Sequence, residues 1–180
     1  MRCKLPTIFA LSSVLLVPTT AMAQGLDVQG LVRADLEAMQ TKFVDLAGAM
    51  KSDQYGWRPM EGVRSVSEVY MLIAAENYYI PSIWDAEAAE GAVTFQTMSA
   101  VTEKSAVLEH LTRAFAYCLM SIKDLSDAEL SKKVDFFGRE RTVAEALLAM
   151  SGDMHEHLGQ AIAYARSNHV VPPWSAGGGM

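Results

Sequence analysis

Four long stretches of the chain place apolar side chains three or four residues apart, which is the spacing that forms one face of an α-helix. The pattern predicts helices over about residues 26–50, 65–83, 102–125 and 142–168. The second and fourth begin with capping boxes, Ser65-Val66-Ser67-Glu68 and Thr142-Val143-Ala144-Glu145. Four helices that each carry one apolar face bury those faces most simply against one another, so the sequence predicts an all-α four-helix bundle.

The segments between the helices are short. Residues 126–129 are predicted to form a single capped turn, and residues 134–141, which contain two phenylalanines, a short extended loop. No segment is predicted to form a β-sheet, and glycine and proline interrupt the helical pattern without forming a linker between domains. We therefore expect one bundle domain over residues 24–175 and a flexible tail at residues 176–180.

The first 23 residues have the composition of a signal peptide. Arg2 and Lys4 precede an apolar stretch from Thr7 to Val17, and Ala21-Met22-Ala23 supplies small residues for cleavage. The apolar stretch is too short for a helix that spans a bilayer, which needs about 20 residues. We expect an exported protein, periplasmic or extracellular, with no membrane anchor after cleavage of the signal peptide.

Composition and charge narrow the classes of function. Hydrophobic residues make up 51% of the chain, which excludes intrinsic disorder. The net charge of −6 becomes −8 when Arg2 and Lys4 leave, because all 21 acidic residues lie beyond the leader. No basic cluster remains, which argues against nucleic acid as a partner. Cys118 is then the only cysteine, and its place on the third apolar face predicts a buried structural thiol rather than a nucleophile.

One dense polar cluster, residues 153–157, interrupts the fourth apolar face. Asp153 and His157 lie four residues apart and project from that face, whereas His155 is about 200° away around the helix. Ligand-type side chains that project into a bundle core form metal sites in such folds. The alternative is that Asp153 and His157 only hydrogen-bond to each other in the core, and the spacing alone favours this second interpretation.

Several segments, in order along the chain, resemble the DinB-like (damage-inducible) four-helix-bundle family. The similar segments are YGWRP at residues 55–59, VRSV at 63–66, AAENYY at 74–79, FFGR at 136–139 and the tail HEHLGQAIAYARSNHVVPPWS from His155. The resemblance implies an up-down-down-up bundle, often dimeric, in which three histidines hold a divalent metal ion in many members. It also implies that some members hydrolyse or transfer groups with low-molecular-weight thiols.

The resemblance can be carried over residue by residue. One of the family's three histidines falls on His157, and a second falls on Asp153, whose carboxylate is also a metal ligand. The histidine of helix two falls on Leu72, which has no ligand atom, while Glu76 lies one turn further along the same face. The candidate metal ligands are therefore Asp153, His157 and Glu76, with zinc or nickel as the expected ion.

Two functions from different classes remain open. The leucine at position 72 favours a bundle that binds a small molecule or a partner, a homodimer included, and whose metal site is weakened or lost. The alternative is a metal-dependent hydrolase or thiol-dependent transferase that uses Asp153 and His157. DNA repair, which the family name suggests, is disfavoured by the acidic charge and the export signal.

Two further expectations concern the end of the fourth helix. His169 stands where the family has a glycine that ends this helix, so we expect it to adopt a left-handed conformation with some strain. Gln160, Tyr164 and Arg166 are expected to connect the helix to the neighbouring loops.

Overall fold

The computed structural model describes residues 27–176. It contains four long helices, a single-turn helix and a β-hairpin. These elements are α1 (Val28–Ala49), α2 (Val66–Tyr79), α3 (Lys104–Lys123), α4 (Asp127–Leu130), β1 (Lys133–Phe136), β2 (Arg139–Thr142) and α5 (Val143–Ser167). Short 3-10 helices cover Ser52–Gln54, Ile80–Trp84, Met98–Ala100 and Pro173–Ser175. The predicted signal peptide lies outside the described residues.

The four long helices form the predicted bundle. Helix α1 packs against α3 and α5, and α2 packs against the same two helices, so α1 and α2 lie diagonally across the core. Phe43 of α1 lies at the centre, with Tyr70 of α2 at 6.4 Å and Phe115 of α3 at 6.1 Å between ring centroids. Cys118 is fully buried in this core, and burial raises the pKa of its thiol to about 12, which confirms the prediction of an inert structural cysteine.

Local sequence explains where α2 and α5 begin. Ser65 accepts a hydrogen bond from the backbone N–H of Glu68, whose carboxylate accepts one from the N–H of Ser65. Thr142 and Glu145 make the same reciprocal pair ahead of α5. Both predicted capping boxes are thus confirmed, and together they fix the first turns of the two helices that face the candidate site.

Helix α2 is shorter than its apolar pattern predicted. The α-helical hydrogen bonds end at Tyr79, and the chain continues as a 3-10 helix from Ile80 to Trp84. Pro81 has no N–H to donate to the carbonyl of Asn77, so the α-helical ladder cannot pass this point. As a result, Glu76 lies in the last turn of α2.

The segment predicted as an extended loop is a two-stranded antiparallel sheet, which corrects the expectation that no sheet forms. Phe136 pairs with Arg139, so the turn consists of Phe137 and Gly138, whose φ angles of 51° and 76° are those of a type I′ turn. The strands are only four residues long, and the turn lacks the usual Asn-Gly signal, so the pattern of residues gave little indication of pairing. Val134 is buried and attaches the hairpin (Lys133–Thr142) to the core.

The end of α5 follows the prediction. His169 has a φ of 59°, and its N–H donates to the carbonyl of Arg166 while the N–H of Val170 donates to that of Ala165. These bonds satisfy carbonyls that the end of the helix would otherwise leave free. Among residues 27–176, no helix is both long and apolar enough to cross a membrane.

Candidate metal centre

Three side chains from two helices converge on one point. Glu76 comes from the last turn of α2, and Asp153 and His157 come from successive turns of α5, which packs against α2. One potential ligand atom of each lies within 4.8 Å of those of the other two, and all three side chains are half-buried. The structure thus brings together all three residues that the sequence analysis named as candidate ligands; we call them the acid–histidine cluster.

The carboxyl group of Glu76 is buried, and one of its oxygen atoms has no hydrogen-bond partner among the described residues. This atom, Oε2, has no contact with solvent. Burial raises the pKa of this carboxyl group to about 8, the negative charge of the nearby Asp153 acts in the same direction, and Arg64 partly opposes them. At neutral pH the carboxyl group of Glu76 is therefore protonated beside Asp153. A cation bound at this point would stabilise the ionised form of Glu76 instead.

His157 is held by a chain of hydrogen bonds on the side away from the carboxylates. Its Nδ1 lies 3.0 Å from Oε1 of Gln160, and Nε2 of Gln160 donates to the hydroxyl of Tyr164 at 3.1 Å. The Tyr164 hydroxyl in turn donates to the backbone carbonyl of Arg64 at 3.1 Å. The edge of the Trp57 indole contacts the Tyr164 ring, with centroids 5.3 Å apart.

The direction of this chain determines which nitrogen of His157 carries a proton. The carbonyl of Arg64 only accepts, so Tyr164 donates to it, and the amide N–H of Gln160 donates to the Tyr164 oxygen. The amide oxygen of Gln160 therefore accepts from Nδ1–H of His157. In the neutral imidazole, the lone pair is then on Nε2, which lies 3.5 Å from Oδ2 of Asp153 and is the atom available to a metal ion.

Sequence reasoning found only part of this support. Arg166, which was also expected to connect α5 to the neighbouring loops, is exposed. Tyr164 connects α5 to the loop before α2, as expected, and Gln160 does so through Tyr164. Their role in orienting His157 was not foreseen, because it depends on the backbone carbonyl of Arg64, whose position only the packed bundle defines.

The remaining residues considered for the site lie elsewhere or lack a ligand. His155 points away from the cluster, as predicted, and its Nε2 lies 2.9 Å from Oδ1 of Asp35 on α1. Ser151 donates to the same carboxylate, so these three side chains join α1 to α5 on the outside of the bundle. Leu72 is buried one turn before Glu76 and provides no ligand atom.

A cavity of about 370 Å³ opens beside the cluster. Glu76 and Asp153 form its polar side. The apolar side consists of Ile80, Phe136, Phe137, Ala149 and Met150. A small molecule in this cavity would therefore have both carboxylates and two phenylalanines of the hairpin within its lining.

The chemistry of the cluster fits a divalent metal ion. Two carboxylates and one imidazole are a ligand set that zinc and other first-row divalent ions accept, and three protein ligands leave coordination positions open, as in catalytic zinc sites. The unpartnered Oε2 of Glu76 and the oriented Nε2 of His157 are the features that an ion would satisfy. The ion would take the place of the proton on Glu76.

Comparison with known proteins gives the same class of fold. A sequence model of the DinB superfamily matches residues 35–161, a region that begins in α1 and ends in α5 and includes the whole acid–histidine cluster. The chain belongs to the DinB superfamily. The search of curated proteins found no match.

Three solved structures share the fold. A DinB-like protein from Bacillus subtilis superposes with a TM-score of 0.63 at 16% identity, over 78% of this chain and 93% of its own. A DinB-like protein from Bacillus cereus gives a TM-score of 0.63 at 15% identity, over 81% and 93% of the two chains. A conserved protein from Enterococcus faecalis gives a TM-score of 0.62 at 18% identity, over 77% and 95%. At these identities the similarity establishes the fold.

Proposed function

We propose that this protein binds one divalent metal ion, zinc or nickel, on Glu76, Asp153 and His157 and presents it to a small molecule in the adjacent cavity. The observation that carries the proposal is the convergence of three potential ligand atoms from α2 and α5. Oε2 of Glu76, which is buried without a hydrogen-bond partner among the described residues, supports it. Leu72, at a position where the resemblance places a family histidine, favoured a weakened or lost site. The position of Glu76 supports a site in which helix two still supplies a ligand, one turn further along.

Each residue has a defined part in such a site. The charges of Asp153 and ionised Glu76 balance the two positive charges of the ion. Gln160 keeps Nδ1 of His157 protonated and the imidazole fixed, so that Nε2 is available without reorganisation. Glu76 and Asp153 also line the adjacent cavity, so a small molecule bound there would lie next to the ion. A bound divalent ion supplies Lewis acidity to groups placed there.

Catalysis is the alternative that the open cavity favours. If the protein is an enzyme, we expect a metal-dependent hydrolase or a thiol-dependent transferase, because both reactions need a Lewis acid with free coordination positions. Turnover of an ester or of a thiol conjugate by the zinc-loaded protein, lost in Asp153→Asn and His157→Gln, would support this alternative.

Calorimetric titration of the chelator-treated protein with zinc and nickel tests metal binding. We expect one ion per chain and a large loss of affinity in Glu76→Gln, Asp153→Asn and His157→Gln. His155→Gln is the matched control, since this histidine lies on the same helix but contacts Asp35 instead. Absence of binding, or equal losses in the control, would contradict the proposal.

We also propose that the protein is exported and forms a homodimer. Residues 1–23 support export, and the resemblance to the DinB-like family supports the dimer. Mass spectrometry of the protein recovered from expressing cells should give an N-terminus at Gln24 or within one or two residues of it. Light scattering should give twice the mass of the mature chain. A retained Met1 on cytoplasmic protein, or a monomer at all concentrations, would contradict the respective proposal.

A further inference from the structure

The hairpin provides the apolar wall of the cavity, and the pairing of its strands explains how. Side chains alternate in β1, so Phe136 projects to the same side as buried Val134, towards the bundle. Phe137 follows in the turn, and its ring lies 4.9 Å from that of Phe136 and 5.2 Å from that of Tyr79. Both phenylalanines line the cavity.

Phe137 is an unfavourable residue for its position in the turn. Its φ of 51° is in the left-handed region, where asparagine and glycine are accepted easily and phenylalanine is strained. The side chain is nevertheless 59% exposed, so burial in the core does not compensate for the strain. A strained backbone together with an exposed aromatic ring at the edge of a cavity is typical of a residue that contacts a ligand.

The size and lining of the cavity define what fits there. An apolar cavity of about 150 Å³ is enough to hold a benzene ring, so a cavity of about 370 Å³ holds one ring together with a head group. The polar residues in the lining are Glu76 and Asp153, which are two of the three proposed metal ligands. The Phe136 and Phe137 rings are the aromatic part of the lining.

We infer that the cavity binds a small molecule made of a metal-coordinating head group and a compact apolar body about the size of one aromatic ring, and that Phe137 contacts the body. This inference rests on the proposed function, since the head group binds the metal ion. It identifies Phe137 as a residue that determines ligand specificity.

Two hydroxamates of different size are suitable probes, because both offer the same pair of oxygen atoms to zinc. Zinc affinity is measured first, and then acetohydroxamate and benzohydroxamate are titrated calorimetrically into the zinc-loaded protein. We expect benzohydroxamate to bind at least about tenfold more tightly than acetohydroxamate, a ratio equivalent to about 1.4 kcal/mol.

The variant Phe137→Asn changes the apolar lining of the cavity and leaves the three metal ligands unchanged. Asparagine followed by Gly138 is the preferred type I′ sequence, so relief of backbone strain should offset the loss of the ring contacts with Tyr79 and Phe136 and the hairpin should still form. Zinc and acetohydroxamate affinity should not change, while the preference for benzohydroxamate should fall to about threefold or less. Phe137→Gly also accepts a positive φ and serves as a second variant. Met120→Asn replaces an exposed apolar side chain on α3 that does not line the cavity, and it should leave the preference unchanged.

The outcomes distinguish this inference from the proposed function. Failure of the original protein to bind zinc overturns both. Zinc binding with no preference for benzohydroxamate, or with a preference that both Phe137 variants retain, overturns only the ligand class. Benzylamine, a cation with one aromatic ring, is also titrated into the zinc-free protein. If it binds, and if the Phe137 variants lose that binding, the carboxylates recognise a cation directly and the inference of a metal-coordinating head group is wrong.

Discussion

Glutamine in place of Glu76 should stabilise the metal-free protein near neutral pH while it removes a metal ligand. The amide has almost the same shape as the carboxyl group but does not ionise. The N–H of the glutamine side chain can also donate to Asp153. In the original protein Asp153 instead lies beside Glu76, which is either a second negative charge or a protonated carboxyl group. The variant therefore removes the free energy needed to ionise a buried carboxyl group beside Asp153, while the packing of the acid–histidine cluster stays the same.

The sign and size of the effect follow from the pKa of Glu76. Its value is about 8 in the folded protein and 4.5 in the unfolded chain, so the folded state binds more protons between these two pH values. The contribution of Glu76 to the free energy of unfolding is therefore most favourable below pH 4.5 and falls as the pH rises towards 8. Each pKa unit corresponds to about 1.36 kcal/mol. We expect the glutamine variant to be more stable by roughly 1–3 kcal/mol at pH 7.5 and by almost nothing at pH 4.

Urea denaturation in the presence of a chelator, at pH 4, 5.5 and 7.5, measures this difference. Glu61→Gln is the control, because Glu61 is an exposed glutamate in the loop before α2 and its substitution should change stability little at any of these pH values. A difference between Glu76→Gln and the original protein that is the same at pH 4 and pH 7.5 would refute the reasoning. So would a variant that is less stable at pH 7.5.

Three other substitutions test neighbouring parts of the account. Gln160→Leu removes the acceptor that orients His157 and should lower zinc affinity about 10- to 100-fold with little change in helical content; unchanged affinity by calorimetry would exclude a positioning role. Leu72→His should add a fourth ligand from α2 and raise zinc affinity at least about tenfold; destabilisation by roughly 1–3 kcal/mol without a gain in affinity would mean that position 72 does not reach the ion. Leu111→Pro should unfold the protein, because it breaks α3 at a fully buried position and costs about 3 kcal/mol or more; a stable, helical variant by circular dichroism would contradict the assignment of α3.

Local signals accounted for most of the fold. The capping boxes at Ser65 and Thr142 located the starts of two helices, because they depend on residues within one turn. The hairpin was not predicted, since its turn uses Phe137 where the pairing signal is normally asparagine. The early end of α2 at Tyr79 could have been predicted from Pro81, which cannot donate a backbone hydrogen bond.

The candidate site was predictable only as far as helical spacing extends. Asp153 and His157 share a face because they are four residues apart, and Glu76 was named from its spacing to Leu72. That Glu76 meets the other two depends on how α2 packs against α5, which spacing within one helix does not define. The contribution of Gln160 depends on a carbonyl about a hundred residues earlier in the chain, so only the folded structure could reveal it.

Anomalous diffraction at the zinc absorption edge, from crystals of the zinc-loaded protein, tests the central claim most directly. The account predicts a strong peak about 2.0–2.2 Å from one carboxylate oxygen each of Glu76 and Asp153 and from Nε2 of His157. The peak should border the cavity formed with the hairpin. A structure with no peak there, or with zinc bound only at the exterior His155 or at His169, would contradict it.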